Sequence, residues 1–240
     1  MSLLELEGLG RRFGGLTAVT GLNLTVAPGE IVGLIGPNGA GKTTVFHLVA
    51  GYHAPTTGAI RFKGASIVGL KPHVICRRGL ARTFQLVQPF AGLSAVENVM
   101  VGAFNRVRDA ATARRRAEEI LEFVGLGAKR HVPARALTLS DRKRLEMARG
   151  LATGPELLLL DEVMSGLNPT EIEAIIGLIR QIHARGVTLL IIEHVMRAIM
   201  ALSHRLVVLH HGEKIAEGAP ADVARDRRVI EAYLGEEGAA

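Results

Sequence analysis

Three observations predict an α/β fold, with a parallel-sheet core, an N-terminal antiparallel β subdomain and an inserted helical subdomain. The runs Leu157–Leu160, Val187–Ile192 and Arg205–Leu209 are largely apolar without polar alternation, as strands covered on both faces read. A glycine-rich loop, 36–44, stands between the apolar strand Ile31–Ile35 and the helical run Val45–Ala50. From about Gln88 to Ala152 the pattern turns helical before the α/β rhythm returns at Gly154-Pro155. The expected division places the core and β subdomain at about 1–87 and 153–240 and the helical subdomain at about 88–152, within one domain.

In chain order, Leu3–Leu9 and Leu22–Val26 read as strands, the second alternating in steps of two. Ala59–Lys63 follows the turn Pro55-Thr56-Thr57-Gly58 and joins them. Val74–Arg78 is a short helix, and Leu80–Phe84 a strand ending in polar Gln85. Ser94-Ala95-Val96-Glu97 is a capping box opening the first inserted helix. Ala113, Ala117, Ile120, Leu121 and Val124 share one face of the next. Gly125, Gly127 and Pro133 interrupt, and Lys143–Ala152 forms a third. Ile172, Ile175, Ile176 and Ile179 mark an amphipathic helix, and Val229–Leu234 a tail helix ending at Gly235.

The loop Gly36-Pro37-Asn38-Gly39-Ala40-Gly41-Lys42-Thr43-Thr44 fits G-x-x-x-x-G-K-[ST] in the strand–loop–helix context the pattern requires. Glycines let successive backbone N–H groups turn inward on an anion. A helix beginning near Lys42 adds the positive end of its dipole. Lys42 is expected to reach the β- and γ-phosphates and Thr43 to hold Mg²⁺, with Thr44 beside it.

Composition narrows the classes. The chain has 240 residues, is 48% hydrophobic and 4% aromatic and has no Trp, so the core is aliphatic. Cys76 is its one cysteine, which excludes an internal disulfide and fits a reducing compartment. The N-terminal residues lack a basic region followed by a long apolar run, so no signal peptide is expected. No apolar stretch approaches bilayer-spanning length, and the mean hydropathy of +0.25 reflects a buried interior. The net charge of +6 invites a nucleic-acid or membrane reading. The bases are scattered, and Arg114-Arg115-Arg116 is followed by Glu118 and Glu119, so this cluster reads as a solvated face and no nucleic-acid partner is expected. A basic protein lying against an anionic inner leaflet fits.

Asp161-Glu162 ends the Leu-rich strand. A carboxylate there can bind Mg²⁺ through water, and its neighbour can polarise an attacking water, so Asp161 is assigned to the metal and Glu162 to the general base. Gln85, after its strand, reads locally as a solvated amide or as a group touching Mg²⁺ or the attacking water. His194, after Val187–Ile192 and Glu193, reads as a structural or surface imidazole or as a γ-phosphate contact holding Glu162 in line. Phe13, expected in a Gly-flanked loop upstream of the phosphate loop, packs in the core or stacks on adenine. Ser165-Gly166-Leu167-Asn168-Pro169 reads as a turn into a helix capped by Asn168. His210-His211 lacks the spaced partners of a metal site, and no Asn-Lys-x-Asp element reads guanine.

This ordered set resembles the ATP-binding cassette (ABC) ATPases over essentially the whole chain, which implies a P-loop NTPase (RecA-like) core. Phe13 matches the adenine-stacking aromatic, Gly36–Thr44 Walker A, Gln85 the Q-loop, Asp161 and Glu162 Walker B, Ser165–Asn168 the D-loop, and His194 the switch histidine. The family's Leu-Ser-Gly-Gly-Gln signature is altered, and two registers compete, starting at Leu137 or at Leu139. The family's spacing to Walker B selects Leu137-Thr138-Leu139-Ser140-Asp141. Thr138 then keeps a hydroxyl, while Ser140 and Asp141 replace a glycine and the glutamine, with Arg142 and Lys143 expected to offset the added charge.

In such ATPases cassettes pair head to tail, so Thr138 and Ser140 would face ATP bound by a partner, and ATP and Mg²⁺ are the implied cofactors; the resemblance then implies that this chain's own site is competent and the site its altered signature completes is weaker. The stretches Ala81–Gln85, Arg144–Arg149, Gly166–Pro169 and Val229–Gly235 are similar to ATPase subunits of branched-chain amino acid importers. That resemblance implies two membrane permease subunits, a sister ATPase subunit in a hetero- or homodimer of cassettes, and an extracytoplasmic solute-binding protein. It also implies a peripheral place on the cytoplasmic face of the inner membrane. The alternatives are the ATPase of a lipid or lipopolysaccharide exporter and, further off, a non-transport ABC ATPase acting on nucleic acid.

Overall fold

The computed structural model describes residues 2–85 and 87–237; Met1, Leu86 and the last three residues lie outside them. In chain order the first elements are β1 (Leu4–Phe13), β2 (Leu16–Val26), β3 (Ile31–Ile35), α1 (Lys42–Val49), β4 (Thr57–Phe62), β5 (Ala65–Ser66) and α2 (Pro72–Arg77). Then come β6 (Leu80–Arg82), α3 (Ala95–Ala103), α4 (Ala110–Phe123), α5 (Leu139–Ala152), β7 (Leu157–Asp161) and α6 (Pro169–Ala184). The last are β8 (Thr188–Ile192), α7 (Met196–Leu202), β9 (Arg205–His210), β10 (Glu213–Gly218), α8 (Pro220–Val223) and α9 (Arg227–Glu237). They fall into two compact units: one runs up to Ile75 and resumes at Thr188, and the other is Cys76–Val187.

The first unit holds an antiparallel sheet in the order β2-β1-β4-β5. Leu4, Leu6, Leu22, Leu24, Ile60 and Phe62 point to its buried side, the period-two pattern expected of a half-covered sheet. The same unit holds β10-β9-β3-β8, with β3 parallel to both β8 and β9. All five residues of β3 and of β8 are buried. The β9–β10 pair is antiparallel and turns at His211-Gly212 with φ of 47° and 83°, the positive pair that a two-residue type I′ hairpin needs.

The second unit carries the parallel pair β6–β7 and the inserted helices. The capping box at Ser94 and Glu97 forms as expected. Asn98 is buried in the first turns of α3 and ties down the segment before it: its side chain accepts from Phe90 N at 2.9 Å and donates to the carbonyls of Phe90, Leu93 and Ser94. Buried Ala113, Ala117 and Leu121 face the insertion's core from α4.

Several bounds differ from the sequence expectation. The third inserted helix opens at Leu139 rather than Lys143, because the Thr138 side chain caps it by accepting from Asp141 N at 3.2 Å. The strand expected to reach Phe84 stops at Arg82. Beyond it the Thr83 hydroxyl binds across to β7, donating to Leu159 O and accepting from Asp161 N. Phe13 lies on β1, not in a loop, since β1 runs on through register shifts near Leu9 and Arg11. The tail helix passes through Gly235 to Glu237.

Candidate active site

The candidate residues fall in two sets, one in each unit. The first is built on the loop after β3. Gly36 has φ 145°, and a Cβ there would lie 2.0 Å from Leu209 O; Gly41 has φ 101°, and its Cβ would lie 2.4 Å from Ala18 O. Both positions therefore demand glycine for conformation and for space. Asn38 and Gly39 are exposed at the tip, and Pro37 O accepts from Ala40 N at 3.2 Å to close the turn. Lys42 is buried, and its ammonium donates to the carbonyls of Gly36 and Pro37 at 2.6 and 2.7 Å, so the cation is held against the loop backbone. α1 starts at Lys42 with no side-chain cap and no acid in its first turn, which leaves its positive end to an external anion. Thr43 and Thr44 sit half-buried in that turn.

Phe13 is not core: it is 38% exposed, packs edge-on to His53 at 5.3 Å between centroids and carries the Arg11 guanidinium 4.4 Å over its ring. His194 follows β8 as an exposed residue, and its backbone N–H donates to the Glu193 carboxylate.

The second set centres on the end of β7. Asp161 is fully buried and bonded to Arg82 Nη2 at 2.7 Å. Burial pushes its carboxyl up from the usual range, against the opposing pull of the Arg82 guanidinium. Its Oδ1 is buried and has no hydrogen-bond partner among the described residues. A buried carboxylate oxygen with spare capacity fits a hard divalent cation such as Mg²⁺. Glu162 sits in the left-handed region at φ 48°, a conformation costing of order 1–3 kcal/mol that persists only where its surroundings impose it. Here they do. The Gln85 amide donates to Glu162 Oε2 at 2.8 Å, and buried Lys143 donates to Glu162 O at 2.8 Å and to Gln85 O at 3.3 Å. One ammonium thus ties the backbone of the candidate base to that of the amide that touches it.

Thr138 and Ser140 stand at the start of α5, Thr138 as its cap and Ser140 buried in its first turn. The Asp141 charge is offset by Lys129 at 2.6 Å, not by Arg142 or Lys143 as expected. Arg142 donates to Arg135 O, and Lys143 is committed to Glu162 and Gln85. Burial opposes ionisation of Asp141, but the Lys129 ammonium and Thr138 hold its carboxyl below the usual range.

Sequence reasoning did not single out Arg82, Lys129 or the bridging role of Lys143. Arg82 has a signal in hindsight, a cation inside an otherwise apolar strand that must meet a buried anion. Lys129 has none, since it lies in a short loop turn far from the helix it serves.

Comparison with known proteins gives the same assignment. Residues 19–165 match the family described as ABC transporter, and residues 213–239 match the branched-chain amino acid ATP-binding cassette transporter family. The chain is 41% identical to the high-affinity branched-chain amino acid transport ATP-binding protein BraF of Pseudomonas aeruginosa, with 98% of each chain covered. It is also 41% identical to LivG of Escherichia coli (strain K12), a protein of the same description, again over 98% of each. Among solved structures it superposes with a TM-score of 0.89 on a nucleotide-free ATP-binding cassette from an ABC transporter, 28% identical, over 97% of this chain and 99% of that one. With loop, strand-end acids and family match in agreement, the chain belongs to the ABC transporter family as one of its ATP-binding, ATP-hydrolysing cassettes.

Proposed function

We propose that this chain powers an ABC importer of branched-chain amino acids or related small amides and acids. The C-terminal match over 213–239 to the branched-chain cassette family carries the solute class and favours import over lipid or lipopolysaccharide export. The near-full-length identity to BraF and LivG supports it. Its partners would be two membrane permeases, a sister cassette and, indirectly, an extracytoplasmic solute-binding protein, with this chain peripheral on the cytoplasmic membrane face. Among the described residues no helix is long and apolar enough to cross a membrane, so the crossing falls to other subunits.

In this reading the N–H groups of 36–44 and Lys42 hold the ATP phosphates, and Phe13 stacks on adenine. Thr43, Asp161 and Gln85 are the residues that would hold Mg²⁺. The bound ion would neutralise charge between the phosphate oxygens. Glu162 takes the proton of the attacking water, and the Gln85 amide keeps its carboxylate turned while Lys143 holds its backbone. His194 contacts the γ-phosphate. Thr138 and Ser140 belong to the surface that completes the sister cassette's site.

The two shared sites are unequal. The loop side of this chain keeps every expected group. Its α5 end is already capped by its own Thr138 and carries the Asp141 carboxylate, paired to Lys129, in the first turn. That end is a poor anion site, so ATP held by the sister cassette is hydrolysed more slowly than ATP held here.

Co-expression with its two permeases tests the importer reading. ATP turnover in vesicles should rise when a binding protein loaded with leucine, isoleucine or valine is added outside. No stimulation by any loaded binding protein, or copurification with a periplasmic bridge instead, contradicts it.

A further inference from the structure

We propose that a cleft within the Cys76–Val187 unit, apart from the nucleotide residues, binds a small organic anion: a carboxylate carried on an apolar body. The cleft lies among α4, the loop after α5 and the end of α6 and has a volume of about 520 Å³, within the roughly 300–1,000 Å³ of small-molecule sites. Its apolar wall is Ile120, Phe123, Leu151 and Ile182. Arg115, Arg116 and Arg185 line it as cations, and Arg115 is bonded to Thr112 Oγ1 at 3.2 Å, which leaves Arg116 and Arg185.

Those two guanidinium groups are not spent on the fold. The carbonyls that end α5 are already served by Arg106, which donates to Thr153 O at 2.6 Å and Gly154 O at 3.0 Å. Arg116 makes no hydrogen bond or ion pair among the described residues, and neither does Glu119 beside it. Arg116 has room because residue 154 is glycine, with φ 63°: a Cβ there would lie 2.9 Å from Arg116 Nη2. Arg185 lies 3.4 Å over the centroid of Phe123. A stacked guanidinium has a fixed plane and presents its N–H donors at the rim, in the geometry that meets a carboxylate fork to fork.

The ligand class follows from what would otherwise go unanswered. An inorganic anion would pair the guanidinium groups and leave the apolar wall wet. A neutral apolar molecule would cover the wall and leave two cations without a counter-charge. A carboxylate on a branched or aromatic body satisfies both. Glu119 adds a test of source, because it would attract the ammonium of an α-amino acid and repel an acid lacking one. The proposal stands apart from the identity of the transported solute, since none of these residues is assigned to ATP.

Calorimetric titration of the full chain tests it with four probes: 4-methylpentanoate, leucine, acetate and 3-methylbutan-1-ol. Saturable binding of one of the first two is expected, with acetate and the alcohol at least about tenfold weaker, the loss that goes with one charge-assisted contact or the apolar body. Stronger binding of leucine assigns the site to an amino acid, and stronger binding of 4-methylpentanoate to an acid without the amine. Arg116→Gln with Arg185→Gln should weaken binding by about tenfold or more while leaving ATP affinity unchanged and the chain folded, as read by its cooperative melt. Arg116→Lys with Arg185→Lys, which keeps charge without the fork, should fall between. Absence of saturation by either carboxylate at about 10 mM, acetate binding as tightly as they do, or an unaffected Gln variant overturns the proposal.

Discussion

The proposed mechanism places the general base on Glu162, and the backbone of this residue is as telling as its carboxylate. At φ 48° it accepts a strained conformation, which the Lys143 ammonium on its carbonyl and the Gln85 amide on its Oε2 hold in place. Lys143→Met should therefore lower kcat by about tenfold, near the worth of one charge-assisted hydrogen bond, with KM for ATP little changed. Steady-state ATPase assays read that split. At the loop, Gly41→Ala should cost roughly 1–3 kcal/mol in backbone strain and abolish nucleotide binding. Its Cβ would meet Ala18 O at 2.4 Å, and denaturant melts with nucleotide titration read both. These residues were unequally legible in the sequence. Gly36, Gly41, Lys42, Asp161 and Glu162 announce themselves by order and spacing. Arg82 and Lys143 do not, because their partners lie 79 and 19 positions away in the chain and only the β6–β7 pairing and the course of α5 reveal them.

At the scale of elements, patterning gave strands and helices reliably where one face is buried and misplaced them where a side chain decides the end. α5 starts four residues before the expected point because Thr138 caps it, and a lone threonine before a charged run carries little helical signal. β6 stops at Arg82, and Thr83 carries the bonding to β7 onward through its backbone N–H and its hydroxyl together. Asn98 is the polar centre of the insertion. Asn98→Leu removes the acceptor of Phe90 N and a second donor from the carbonyls of Phe90, Leu93 and Ser94, and should cost about 1 kcal/mol or more, read by urea unfolding. The start of α5 has a pH signature. Asp141 has a folded pKa below its unfolded one, so the stability it contributes is present above the unfolded value of about 3.9 and is lost as pH falls through the lower folded value. Wild type should exceed Lys129→Met in stability at neutral pH, and the gap should shrink steadily below about pH 4. An unchanged gap at low pH would show that the Lys129–Asp141 pair is not its origin.

For the whole molecule, the family and the α/β architecture were readable from the ordered motifs, and the altered signature already pointed to two unequal shared sites, which remains a proposal. In the sequence that reading rests on Ser140 and Asp141, which depart from the family pattern. The structure shows that α5 caps itself and that Lys129, not Arg142 or Lys143, answers the Asp141 charge. The measurement that tests the account most directly is ATP turnover of the assembled transporter with Glu162→Gln in this chain. Removal of the proposed general base should lower turnover on the order of 10²–10⁴-fold, with a much smaller loss from the matching substitution in the sister cassette. Unchanged turnover with Glu162→Gln would contradict the account.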